Sequence, residues 1–142
     1  MTEMPNPAVW FAGQRRMLRS DRASAALGMV VEHDEPEYSA VSMLVRDDMT
    51  NGFGITHGGI VFALADTAFA LACNDSEYVT VAGGADISFL AQSRPGQTLR
   101  AEARRRAGTE RTGVYDVTVT DEAGVVVAEF RGRSVTTRAT LT

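Results

Sequence analysis

The stretch HGGIVFALADTAFALAC, residues 57–73, has the length of a helix and almost no polar face. A helix that is apolar nearly all round must be enclosed, so the rest of the chain has to wrap around it. Most of what remains reads as strands. Residues 29–34 and 38–45 flank the turn-like EPE, and Val41, Met43 and Val45 alternate at period two. Beyond the helix come four more strand-like runs, 79–90, 98–107, 112–120 and 125–136, separated by SRPGQ, GTER and DEAG. Gly124, in the last of these, supplies the backbone freedom of a hairpin. Tyr115, Val117 and Val119 share one face of their strand, and Val126, Ala128 and Phe130 share one of theirs, while Arg104, Arg106, Arg131 and Arg133 take the other side. That is the pattern of a sheet apolar on one face and wet on the other. The expected fold class is α+β: a curved antiparallel β-sheet around one long central α-helix.

Ahead of this core, residues 8–26 mix Trp10, Phe11, Met17 and Leu18 with arginines and predict an N-terminal helical segment of one or two helices, closed by Gly28. No repeat or linker divides the 142 residues, of which 44% are hydrophobic. One domain over residues 1–142 is therefore expected, with the helical segment at 1–26 and the core at 27–136. The net charge of −4 argues against a nucleic-acid partner. No run reaches the roughly 18 apolar residues of a membrane span, and MTEMPNPAVWFAGQRR lacks a signal-peptide layout. A cytoplasmic protein without a membrane partner is expected.

The helix carries one carboxylate, Asp66, with Phe62, Ala63, Ala65, Phe69 and Ala70 around it at helical spacing. A buried carboxylate takes a proton, finds partners or faces a polar cavity; an ordinary surface position is the alternative. The preceding loop, NGFGITHGG, places Gly58 and Gly59 in the first helical turn. Backbone N–H groups there have no intrahelical partner and no side chain in front of them, which suits a developing oxyanion. A phosphate loop fits less well, because no Lys follows the glycines.

Other chemistries lack material. With one cysteine and two histidines, His33 and His57, the chain offers no metal-ligand set, no Ser-His-Asp triad and no G-x-S-x-G elbow. Neither a metal nor a cofactor is expected. The lone Cys73 is a small buried hydrophobe or a reactive thiol. Gly83 and Gly84, inside a strand, mark either sheet curvature or space for a ligand. Trp10, Phe11, Met17, Phe62, Tyr78 and Phe89 are core or pocket lining.

The segments NGFGITHGGIVFALADTAFALACN, GGADISFLAQSRPGQTLRAEA, RTGVYDVTVTD and VVAEFRGRS together resemble the hotdog-fold acyl-CoA thioesterases of the phenylacetate-degradation type, from about residue 26 to 134. The resemblance implies a curved sheet around one helix, paired into homodimers that join as homotetramers. It implies Asp66 as the catalytic carboxylate, general base or nucleophile, and Gly58 as the backbone donor to the thioester carbonyl. Asn51 and His57 match side chains that shape the site, and Gly59 accompanies Gly58. Thr67 either packs locally or touches substrate. Where some relatives hold a water with a serine on the strand after the helix, this chain has Ala82. Coenzyme A is then part of the substrate, and its phosphates call for cations: Arg94, Arg111, Arg131 and Arg133 are the candidates, whereas residues 104–106 divide between that role and a solvated strand edge. The implied reaction is hydrolysis of an arylacetyl- or medium-chain acyl-CoA. A related enoyl-CoA hydratase pairs an Asp with a His five residues on, where this chain has Leu71. A non-catalytic acyl-CoA binder has no need of Asp66.

Helical geometry adds a constraint of its own. Eight residues separate Gly58 from Asp66, a rise of roughly 12 Å, whereas an attacking atom and an oxyanion donor each lie within about 3 Å of one carbonyl group. With one such helix per chain, the two groups are expected to meet across a homodimer, Gly58 from one subunit and Asp66 from the other.

Overall fold

The computed structural model describes residues 17–140; the expectations for residues 8–16, Trp10 and Phe11 included, lie outside the described residues. Residues 17–19 are helical, the chain turns, and a short helix α1 spans Arg22–Ala26. Asp21 caps α1, its side chain accepting the Ser24 N–H, and Gly28 follows with φ of 70°, a left-handed conformation that glycine adopts without strain.

Strands β1 (Val30–Glu35) and β2 (Tyr38–Leu44) form a hairpin, and a single 3-10 turn, Asp47–Met49, leads to the central helix α2, Gly58–Cys73. β3 (Tyr78–Phe89), β4 (Thr98–Gly108), β5 (Thr112–Thr120) and β6 (Val126–Thr140) follow. They form one six-stranded sheet in the order β1-β2-β4-β5-β6-β3, with every neighbouring pair antiparallel. This is the curved sheet around one helix that the sequence implies. β6 runs past the expected end at residue 136, because its threonine-rich tail goes on pairing with the start of β3, as far as Thr140 opposite Tyr78.

The core lies where α2 meets the concave face. Leu64, Ala65, Ala68, Leu71 and Ala72 are wholly buried, against Val41, Leu99, Ala101, Val117 and Val119. Phe69 stacks edge-on against Tyr115, ring centroids 5.5 Å apart. A Cβ built on Gly132 would stand 2.7 Å from the Phe69 ring, so the helix seats this closely because β6 has no side chain there. Both ends of α2 are tied down. His57, in extended conformation, accepts the Gly59 N–H on Nδ1 at 2.9 Å. At the other end, the Asn74 amide donates to the carbonyls of Ala70 (2.8 Å) and Thr80 (3.0 Å) and accepts from the Thr80 N–H (2.9 Å), joining the helix to β3.

Two local features depart from simple alternation. A bulge opposite Thr120 puts Val127 and Ala128 both inside and leaves Val126, expected to face inward, only half-buried. A second bulge, between Ala82 and Gly84, points the vacant side-chain positions of Gly83 and Gly84 at Val135 and Arg133, on the outer face of β6. Among the described residues β3 pairs only with β6, and along its length Tyr78, Val81 and Phe89 are more than 40% exposed.

Candidate active site

α2 is not covered evenly. Gly59 is exposed, and Phe62, Ala63, Asp66 and Ala70, which follow it at helical spacing, are half-buried. The remaining sides of the helix lie under the sheet and α1. Asp66 thus stands in a stripe that the sheet and α1 leave open. Its carboxylate has no hydrogen-bond or ion-pair partner among the described residues, and burial first, then the negative charge of Asp21, raises its pKa above the ordinary carboxylate range.

At the other end of the stripe, a cavity of about 330 Å³ opens beside the start of α2, lined by Asn51, Thr56, Gly58, Val61, Phe89 and Ser93 among others. The Gly58 N–H, the first of the helix, has no hydrogen-bond acceptor among the described residues. The Phe89 ring lies over Gly58: a Cβ there would be 3.1 Å from it. Asn51 Oδ1 accepts the N–H groups of Phe53 (2.9 Å) and Ile55 (3.4 Å) and so folds the loop. Its amide N–H₂ group is left for the cavity. The Gly59 N–H is already used by His57, and an imidazole that accepts on Nδ1 carries its proton on Nε2.

Gly58 and Asn51 therefore share one cavity, with His57 capping the same turn, while Asp66 is carried two turns further along. Gly83 and Gly84 belong to the outer-face bulge. Thr67 is buried, and its hydroxyl meets that of Ser24 at 2.9 Å. The four arginines separate. Arg131 pairs with Asp116 at 2.7 Å and Arg133 with Asp86 at 2.9 Å, both across neighbouring strands on the outer face. Arg94 and Arg111 have no carboxylate partner among the described residues; Arg94 is exposed next to Ser93 of the Gly58 cavity, and Arg111 borders a larger cavity, about 700 Å³, at the C-terminal end of α2. Cys73, at the edge of that cavity, is buried, and burial pushes its thiol up to about 12, so at neutral pH it is an unreactive thiol. Among the described residues no three His, Cys, Asp or Glu side chains gather as a metal site, and no helix is long and apolar enough to cross a membrane.

Sequence reasoning missed Asp21 and Ser24, which pack against the turn of α2 that carries Asp66. The spacing of Asp21 and Ser24 signals a helix cap, but nothing in it signals their neighbour.

A sheet curled around an apolar helix, with a free N–H at the helix start and an unpartnered carboxylate in its open stripe, suits attack on a polarised carbonyl. Comparison with known proteins agrees. The thioesterase superfamily model matches residues 53–128, and the chain belongs to that family: it is a thioester hydrolase with the hotdog fold. An acyl-coenzyme A thioesterase, PaaI of Escherichia coli, is 39% identical over 126 residues, covering 89% of this chain and 90% of the relative. The solved structure of the E. coli PaaI protein, from the phenylacetic acid degradation operon, superposes with a TM-score of 0.88 at 38% identity, over 92% of this chain and 94% of that one. Smu.793 of Streptococcus mutans, solved with acetyl CoA bound, has a TM-score of 0.73 at 28% identity, over 77% and 88%.

Proposed function

We propose that this protein hydrolyses acyl-CoA thioesters, arylacetyl-CoA such as phenylacetyl-CoA above all, to the free acid and coenzyme A. The observation that carries the reading is Asp66: a half-buried carboxylate without a partner among the described residues, in the open stripe of a largely apolar helix. It acts as general base. Asp66 takes a proton from a water molecule, the resulting hydroxide attacks the thioester carbon, and the carbonyl oxygen becomes an oxyanion that accepts the Gly58 N–H. Collapse of the tetrahedral intermediate expels the coenzyme A thiolate. A thiol of pKa about 8.5 leaves without a strong general acid, so a site this sparse suffices. Asn51 and His57 orient the substrate at the start of the helix, and Arg94 and Arg111, the candidates without a carboxylate partner, meet the coenzyme A phosphates.

The site is completed by a second copy of the chain. The rise between Gly58 and Asp66, roughly 12 Å, is too long for both to act on one carbonyl, and the unpaired edge of β3, twelve residues long, is a surface on which two sheets can join. The dimer gives two equivalent sites, and further pairing gives a homotetramer. A likeness to acetyl-CoA-bound and phenylacetate-operon structures supports the substrate class, and the cytoplasm is where that substrate is met.

The test is release of free thiol from phenylacetyl-, acetyl-, octanoyl- and palmitoyl-CoA, with and without a chelator. Metal-independent turnover, fastest on the arylacetyl thioester, is expected, with Asp66→Asn at least about a hundredfold slower. Full activity in Asp66→Asn, or no thiol from any thioester, overturns the reading.

A further inference from the structure

The N-terminal side of the site carries residues that this mechanism leaves unused. α1 is joined to α2 by a chain of hydrogen bonds. The Asp21 carboxylate accepts from the Ser24 backbone N–H at 2.9 Å and from the Ser24 hydroxyl at 2.7 Å, and the Ser24 and Thr67 hydroxyls meet at 2.9 Å. A carboxylate only accepts, so Ser24 has spent its one proton on Asp21, and the Thr67 hydroxyl is the donor to Ser24. Ser24 and Thr67 are both buried, and low polarity around a connected chain of this kind strengthens each bond. Two hydrogen bonds thus separate Asp21 from the residue next to Asp66. None of the ion pairs among the described residues includes either carboxylate. A structural clasp needs no charge at its outer end; a serine or asparagine caps a helix as well.

We propose that Asp21 is a positioning residue of the hydrolytic reaction: locked through Ser24 and Thr67 onto the turn of α2 that carries Asp66, it presents a fixed negative charge to the general base. The proposal rests on Asp66 being that base. A neighbouring like charge favours the protonated form, so Asp66 abstracts a proton from water more readily than it would alone. Burial and Asp21 are the two causes of its upward shift. The other titratable groups on the inner side are Asp34 on β1, Tyr115 on β5 and Cys73 on α2 itself. Tyr115 and Cys73 are each pushed up to about 12 by burial and are uncharged at neutral pH. Arg100 and Arg104 on β4 and Arg131 and Arg133 on β6 pair with carboxylates at the outer face.

The experiment compares kcat for phenylacetyl-CoA hydrolysis against pH in the wild type, Asp21→Asn and Asp21→Ser, with thermal denaturation as a check on folding. Ionisation of the substrate is common to all three and cancels in the comparison. Both substitutions keep a capping side chain and remove the charge. The acid limb of kcat is expected to move to lower pH in both, with the plateau lowered about three- to tenfold, as for a weakened base, and KM unchanged. Acid limbs that superimpose on the wild type in a folded variant overturn the role of Asp21; if one variant fails to fold, the other decides. Asp66→Asn, assayed alongside, separates the two readings. If it remains fully active, the base itself has been misassigned. If it is inactive while the Asp21 limbs do not move, only the Asp21 proposal falls.

Discussion

Combining two defects in one dimer distinguishes a site shared between subunits from one contained in a single chain. Gly58→Pro removes the proposed oxyanion donor, and the local geometry tolerates it. His57 has φ of −61° and ψ of 134°, the extended conformation that a residue before proline prefers. Proline is accepted at the first helical position, where the lost N–H has no partner among the described residues. The nearest obstacle to a new Cβ is the Phe89 ring at 3.1 Å, the end of a side chain 54% exposed and free to turn. Asp66→Asn removes the base and keeps the shape. Each variant alone should lose about 10²-fold or more, the usual effect of deleting an oxyanion donor or a general base.

When the two are unfolded together in equal amounts and refolded, half of the dimers should be mixed. In a mixed dimer with shared sites, one site inherits both defects and the other neither, so the recovered activity is about a quarter of the wild type by random pairing. In sites contained within one chain, every site keeps one defect and the mixture stays as inactive as its parents. Native mass spectrometry counts the mixed dimers, and thiol release measures the activity. Verified mixed dimers that stay inactive, from variants that each melt like the wild type, refute the shared site.

Two stability predictions accompany this one. Gly132→Ala places a Cβ within 2.7–2.8 Å of the Phe69 ring, overpacking of a kind that costs about 1–3 kcal/mol; Tm should fall by several degrees, whereas Gly52→Ala, with no atom within 4 Å of its new Cβ, should leave it nearly unchanged. Asp66→Asn should be more stable than the wild type at neutral pH: the folded protein binds the Asp66 proton more readily than the unfolded chain does, so the wild type gains stability as pH falls through the folded pKa, and the advantage of the variant shrinks over that range. Denaturant titrations from neutral pH down to the ordinary carboxylate range check this, and a variant less stable at neutral pH marks Asp66 as structural.

The extent of α2 was legible to within about a residue, because its apolar run is bounded by a histidine–glycine start and by Asn74, which ends it. The strands were legible wherever one face is apolar and the other charged. What escaped depends on register and on tertiary neighbours. A bulge shifts alternation by one residue, so Val126 and Val127 exchange faces without any mark in the sequence. Arg131 and Arg133 look like free cations until the strand pairing sets Arg131 opposite Asp116 and brings Arg133, two residues further along β6, within reach of Asp86. Gly132, the glycine that lets Phe69 seat against the sheet, stands between these arginines in the strand-like run, and nothing beside it in the sequence marks the close approach. At the site, Asp66 and Gly58 could be named because a charge and a glycine pair are conspicuous in an apolar helix. Ser24 and Asp21 sit in ordinary helix-cap spacing, and it is the docking of α1 on Thr67 that brings them to the turn carrying Asp66.

Position within the helix, more than the choice of residue, fits Asp66 for the role proposed for it. One residue earlier, at Ala65, or two, at Leu64, the side chain is completely covered by the sheet; a carboxylate there would hold its proton and meet no water. On a fully exposed turn it would be an ordinary, weakly basic carboxylate, solvated on all sides. The stripe of Phe62, Ala63, Asp66 and Ala70 lies between these extremes: enough water is removed to strengthen the base, and one side stays open to a substrate. On the proposed mechanism, the same stripe also leaves a single chain incomplete. Its apolar members, like the free edge of β3, are surface that a second copy can cover, and covering it would bring the N–H at the start of another α2 towards Asp66. In this reading, burial of the stripe and completion of the site are one event, so the group that makes the helix hard to bury is also the one that needs it buried.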